Sequence, residues 1–175
     1  MLCKRTGCSE LTKEGWGESE RIFGIAKYCF PLNWSSSTQR DRIRKDGRVR
    51  MTFGFHPKVV KFESQRQCEK LCRDLPSLVI AKGVVVVGEC GIDTFIGIGR
   101  LPRQEFIFKR QIELVVKSNL PLEIHCRGET ASDICLDVLT QNLPTDYRIH
   151  RYCFDGSPQE LGRKDFQTAS LAFPH

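Results

Sequence analysis

The sequence predicts an α/β fold, a parallel sheet with outer helices that forms part of a TIM-type (β/α) barrel. Three observations predict it. Strand-like and helix-like patterns alternate along the chain, as βαβ units require. The clearest strand, Gly83-Val84-Val85-Val86-Val87-Gly88-Glu89, is apolar at both parities, which suits a parallel strand buried on both faces. His56, Glu89, His125 and Tyr152 fall at the C-terminal ends of successive predicted strands, 33, 36 and 27 residues apart. Chemistry gathered at several consecutive strand ends is barrel behaviour, whereas an open doubly wound sheet concentrates its site at one switch point.

The elements follow in order. Residues 1–20 read as a polar, poorly ordered leader, 21–160 as the barrel region, and 161–175 as a short tail. Ile22 to Phe30 reads as the first strand. The Asn33-Trp34-Ser35-Ser36 cluster starts a polar helix over 38–46, which Gly47 ends. Val49 to Phe55 is the second strand, followed by a helix over 62–74. After the valine strand, Gln104 to Asn119 gives an amphipathic helix with Phe108, Ile112, Val115 and Val116 on its apolar face. Asn119 and Pro121 stop it. A strand over Leu120 to Cys126, a helix over 130–142 and a strand over Tyr147 to Phe154 complete the pattern. By alternation Val85, Val87 and Glu89 share the inward face, while Leu122, Ile124 and Cys126 face the helices. Glu123 then shares the face of His125 and is expected to be wet, because a lone carboxylate in an apolar interior is costly.

Composition excludes several classes. The 14 glycines and 8 prolines show no period, so collagenous and low-complexity readings fail. The most apolar stretch, Leu78 to Gly88, is interrupted by Lys82 and is far shorter than the roughly 20 residues a membrane span needs. No apolar segment follows Met1-Leu2-Cys3-Lys4-Arg5, so no secretion signal is read. Nine cysteines, an odd number, read as reduced thiols of a cytoplasmic or nuclear protein. Cys68 and Cys72 are expected on a buried helix face. The net charge of +6 is compatible with nucleic acid. The basic run Arg40, Arg42, Arg44, Lys45, Arg48, Arg50 reads as a solvated outer helix, and no interleaving of aromatics with it suggests a stacking platform.

Four segments carry a resemblance. They are Gly54-Phe55-His56-Pro57, the run from Val84 to Asp93 (VVVVGECGID), Leu120 to Arg127 (LPLEIHCR) and Tyr147 to Gly156 (YRIHRYCFDG). In this order and at these intervals they resemble the TatD-type metal-dependent deoxyribonucleases, closest to a eukaryotic branch. The resemblance implies a distorted TIM barrel holding divalent metal, Mg or Zn, and hydrolysing phosphodiester bonds of DNA, often from the 3′ end. Metal there polarises the phosphoryl oxygen and acidifies a bound water. Carried over by position, Glu89 matches the metal-bridging, catalytic carboxylate and His125 a metal-binding imidazole. His56 and Arg127 match positions near the substrate phosphates, with a loop-packing role as the alternative for each, and Asp93 is open in the same way.

The departures are equally specific. The family's opening His-x-His strand and closing Thr-Asp strand find no counterpart, so about five of eight strands are expected. Tyr152 holds the place of a third metal-binding histidine, and a phenol is a poor ligand at neutral pH. His150, two residues earlier, replaces it only if the metal sits deeper. Lys58 stands where many relatives carry a second histidine. Metal binding is therefore expected to be impaired, and the chain reads either as a truncated deoxyribonuclease or as a non-catalytic remnant acting as a nucleic-acid-binding or interaction module. A related barrel acting on C–N bonds is a third reading. Open sheet edges near the first and last strands invite self-association.

Overall fold

The computed structural model describes residues 24–34, 36–46 and 48–152. The leader, the tail, Gly47 and the Cys153-Phe154 end of the last expected strand lie outside the described residues. Five strands, β1 (Gly24–Tyr28), β2 (Val49–Phe53), β3 (Val84–Asp93), β4 (Leu122–Arg127) and β5 (Ile149–Arg151), form one sheet. Every pairing is parallel and the spatial order is the chain order. The order never reverses, so there is no switch point and the sheet is an arc of a (β/α) barrel.

Four helices connect the strands: α1 (Ser37–Lys45), α2 (Gln65–Val79), α3 (Leu101–Ser118) and α4 (Ala131–Asn142). Their starts follow from local chemistry. The Ser36 hydroxyl accepts from the Gln39 N–H while Gln39 Oε1 accepts from the Ser36 N–H, a reciprocal cap. Ser64 accepts from the Gln67 N–H in the same manner. Asn119 ends α3 in the left-handed conformation at φ 51°. The outer helix α1 buries no side chain, as its basic run predicts.

Two helices differ from expectation. α2 runs to Val79 and carries Pro76 inside it. An interior proline costs roughly 3 kcal/mol, but Cys68, Leu71, Leu75 and Val79 form one continuous buried stripe that offsets it. Cys68 is buried as expected and Cys72 is half-buried. The six cysteines among the described residues are free thiols. On α3, Val116 is exposed, while Gln104 and Gln111 join Phe108, Ile112 and Val115 in the buried face. The two glutamines act as strand substitutes. Gln111 accepts from the Phe55 N–H (2.7 Å) and donates to the Phe55 carbonyl (3.1 Å). Gln104 does the same for Asp93, at 2.8 and 3.1 Å. Backbone leaving β2 and ending β3 would otherwise be buried without partners.

β3 breaks the simple alternation. Its register shifts between Val87 and Cys90. Val87, Cys90 and Ile92 consequently all enter the core shared with Leu75, Phe108, Ile112, Cys135 and Leu139. Val87 therefore faces the helices, and only the extra residue at the bulge turns Glu89 the other way. Glycine is needed there. Gly88 sits at φ +151°, and a Cβ on it would lie 2.5 Å from the Glu123 carbonyl oxygen. Gly91, at φ +137°, would put a Cβ into the His125 carbonyl. Leu122, Ile124 and Cys126 face the helix layer as expected.

Glu123 corrects another expectation. It is buried, and Lys27 Nζ donates to its Oε1 at 2.7 Å. Lys27 is on β1 and Glu123 on β4, three strands away. In a flat sheet that separation is about 14 Å, so the pair exists only because the sheet curls. The Tyr152 ring lies over Lys27 Nζ at 3.2 Å from its centroid, adding a cation–π contact. The carboxylate thus has the partner that alternation alone could not supply. No helix is long and apolar enough to cross a membrane, among the described residues.

Candidate metal and nuclease site

The curled sheet brings His56, Glu89 and His125 together. His56 caps the 3-10 turn Pro57–Lys61 that leaves β2. Glu89 lies within β3, which continues to Asp93 instead of ending at the acid, and His125 lies on β4. Glu89 Oε1 is 2.8 Å from His125 Nδ1 and 3.7 Å from His56 Nε2. The two imidazole rings are tilted at 52° with centroids 4.3 Å apart. One ligating atom from each of the three residues lies within 4.8 Å of the others. The acid at 89 and the imidazole at 125 therefore share one rim, as the barrel reading requires.

The electrostatics set the protonation of each group. Burial pushes the Glu89 carboxyl up, but the His125 hydrogen bond, the two imidazoles and Lys27 outweigh it and hold the pKa below the usual carboxylate range. Glu89 is ionised at neutral pH and accepts from His125 Nδ1. In the singly protonated ring, the His125 lone pair is then on Nε2. His56 is pushed down to about 3, first by burial, then by His125 and Lys58, against the attraction of Glu89. Its Nδ1 accepts from the Lys58 backbone N–H at 3.0 Å, so the neutral ring carries its proton on Nε2, facing Glu89. Phe30 stacks on this ring at 5.0 Å. Cys29, close by on the chain leaving β1, is pushed up to about 11 by burial and by Glu89, and so remains a thiol.

A pH dependence follows. With a His56 pKa of about 3 folded and near 6.5 unfolded, the unfolded chain binds the proton first. Stability is complete above about pH 6.5 and is lost as pH falls toward 3, at up to about 1.4 kcal/mol per pH unit for one group. Glu89, also depressed, adds loss in the same direction at lower pH. Urea midpoints should decline between pH 6.5 and 4.5, and His56→Asn should flatten that decline. A midpoint constant from pH 7 to 5 would contradict the assignment.

The donor set fits a cation. His125 Nε2 and Asp93 Oδ2 face each other at 3.4 Å, and both are buried without a hydrogen-bond partner. Two ligand bonds of about 2.1 Å at a tetrahedral angle span about 3.4 Å. A pair held this way fits either a proton shared between the two atoms or a cation bound by both. Mixed imidazole and carboxylate donors suit zinc and similar ions better than magnesium, which prefers oxygen alone.

The other expected residues are placed apart. His150 pairs in register with Glu123, its Nε2 3.9 Å from Oε1, and belongs to the Lys27 group. Tyr152 is exposed and covers Lys27. Arg127 is exposed, its guanidinium carbon 5.0 Å from the Phe95 ring centroid. Sequence patterning missed Lys27, because a lysine in a first strand reads as surface. It missed Gln104 and Gln111, because glutamine on a helix reads as solvent-facing. Asp93, whose role the sequence does not decide, accepts at Oδ1 from the Phe95 N–H at 3.0 Å.

Comparison with known proteins identifies relatives of this chain. A profile described as TatD related DNase matches residues 19–167. A human protein named 3′-5′ RNA nuclease TATDN2 is 32% identical over 134 residues, covering 76% of this chain and 17% of that protein. A 3′-5′ ssDNA/RNA exonuclease TatD of Erwinia billingiae is 34% identical over 127 residues, covering 73% of this chain and 46% of that enzyme. The structure of YJJV, a TatD homologue from Escherichia coli K12, superimposes with a TM-score of 0.60 at 23% identity, over 82% of this chain and 52% of that one. The chain thus spans about half the length of the bacterial relatives and less of the human one. On the strength of the profile match and these relatives, the chain belongs to the TatD related DNase family.

Proposed function

We propose that this chain carries a metal-dependent nuclease site that hydrolyses phosphodiester bonds of DNA or RNA from the 3′ end of a single strand. The observation that carries the reading is the buried Glu89 carboxylate held 2.8 Å from His125 Nδ1 and 3.7 Å from His56 Nε2 at the rim of the sheet. The human relative, named a 3′-5′ RNA nuclease, and the Erwinia relative, named a 3′-5′ ssDNA/RNA exonuclease, support the same reaction class. A nucleic-acid substrate and reduced cysteines suit the cytoplasm or the nucleus.

Glu89 and His125 would hold a divalent cation where their hydrogen bond now lies, with the other ring nitrogen of His125 then donating to Asp93 Oδ2. When bound, the cation supplies Lewis-acid polarisation of the phosphoryl oxygen and a water acidic enough to react near neutral pH. Glu89, ionised at neutral pH, would orient a water and accept its proton. His56 Nε2–H donates toward a phosphoryl oxygen, and Lys58 presents a point charge beside it. Gln104 and Gln111 fix the backbone on which Asp93 and His56 stand.

The test is direct. The full chain is incubated with a fluorescent single-stranded DNA or RNA oligonucleotide and Mg²⁺, Mn²⁺ or Zn²⁺, with chelator controls. Stepwise loss of nucleotides from the 3′ end, abolished by the chelator, is expected. No cleavage with any of these ions overturns the reading. One observation favours a second reading, a nucleic-acid-binding remnant without activity. Tyr152 covers Lys27 instead of facing Glu89, so no third imidazole from β5 reaches the site. Oligonucleotide binding without cleavage would select it. Among the described residues β1 and β5 are the edges of the sheet, and pairing of such edges would give concentration-dependent association.

A further inference from the structure

Exposed apolar side chains collect on the loops at the same end of the sheet as Glu89 and His125. Phe62 closes the turn that His56 starts and is 77% exposed. Phe95 and Ile98, in the turns after β3, are 73% and 80% exposed. Apolar groups gathered beside a polar cleft mark a recognition surface. The same loop segments, 54–64, 94–103 and 127–130, carry Lys58, Lys61, Arg100, Arg103 and Arg127 against two acids, Glu63 and Glu129. Cations interspersed with aromatic surface favour a polyanion with flat apolar faces over a protein partner, which would want one continuous apolar patch.

Phe95 is the member that the fold holds in place. Its N–H donates to Asp93 Oδ1 at 3.0 Å, and Gln104 clamps the Asp93 backbone. The other carboxylate oxygen of Asp93 lies 3.4 Å from His125 Nε2. The backbone that carries the ring is therefore tied to the site through one residue. From β4, the Arg127 guanidinium carbon stands 5.0 Å from the ring centroid, and Thr94 Oγ1 donates to the Arg127 carbonyl at 3.5 Å.

We propose that Phe95 is a base-stacking platform for single-stranded nucleic acid, with Arg127 meeting the phosphate next to the stacked base. This rests on the nuclease reading, which puts a 3′ end in the cleft. The exposed part of the ring takes a base of any identity, since every base has a π face. The guanidinium beside it supplies the charge that the same nucleotide's phosphate requires.

The experiment measures binding of the full chain, in chelator so that nothing is cleaved, to two labelled probes. One is an eight-nucleotide oligothymidine and the other a sugar–phosphate oligomer of equal length without bases. The unsubstituted chain should prefer the base-bearing probe by roughly 5- to 150-fold, the worth of one stacked base. Phe95→Ala should reduce the preference to within about twofold, and Phe95→Trp should restore it. Arg127→Ala should weaken both probes alike and shallow the salt dependence by about one unit of slope. A preference that survives Phe95→Ala overturns the platform, as does equal binding, or no binding, of both probes by the unsubstituted chain. The cleavage assay separates the two proposals. Metal-dependent cleavage with a Phe95-independent preference sinks only the platform. A Phe95-dependent preference without cleavage sinks only the hydrolytic reading.

Discussion

Replacing Glu89 with glutamine should lower metal-dependent 3′-end hydrolysis by about 10²- to 10⁴-fold while leaving the chain folded. Glutamine keeps the length of the side chain and can still accept from His125 Nδ1, so the bond measured at 2.8 Å has a replacement. What it removes is the negative charge. That charge sits in a buried site, where it is worth more than in water, and it lies 2.8 Å from His125 Nδ1. Cation affinity should fall along with the rate, read by calorimetric titration with Zn²⁺ or Mn²⁺, while circular dichroism stays unchanged. Undiminished cleavage by the variant would remove Glu89 from the reaction. Unchanged cation affinity would remove it from the metal site alone.

Lys27→Met should cost about 2–4 kcal/mol of folding stability. Glu123 is buried and its Oε1 accepts from Lys27 Nζ at 2.7 Å, so removing the ammonium leaves a buried carboxylate without its cation. Breaking such a pair typically costs about 3–5 kcal/mol. The partial exposure of Lys27 and the nearby His150 lower the figure here. The apparent Tm should fall by roughly 5–15 °C. Replacing both partners, Lys27→Met with Glu123→Leu, should recover most of the loss, because an apolar pair of similar volume suits the interior. Equal losses in the single and double variants would show that the residues act through packing and not through charge. The pair also bears on shape. It links β1 to β4 across the concave side, so the single variant should loosen the curl that presents His56 and His125 to Glu89.

Much of this molecule was legible without coordinates, and the reasons are local. The valine run of β3 and the period of Phe108, Ile112 and Val115 on α3 reflect burial on two faces and on one stripe, which neighbouring residues encode. Glu89 and His125 stood out because a carboxylate and an imidazole at successive strand ends, one βα unit apart, must meet if the strands are parallel neighbours. Patterning failed where one residue changes the count or where partners come from distant strands. The bulge between Val87 and Cys90 puts Glu89 on the face opposite Val87, and period-two reasoning has no term for an inserted residue. Glu123 read as wet because its partner Lys27 lies 96 positions earlier.

The sequence by itself determined the order of parallel strands and outer helices, the family, and the acid and imidazole at the rim. Only the tertiary structure decided that Glu123 is neutralised by Lys27, that His150 and Tyr152 stand with that pair instead of with Glu89, and that Phe95 and Arg127 form one surface. The physical reason is curvature. Side-chain period along one strand is a property of the backbone, but which side chains meet across a curled sheet depends on how far the strands bend toward one another, and no local pattern carries that.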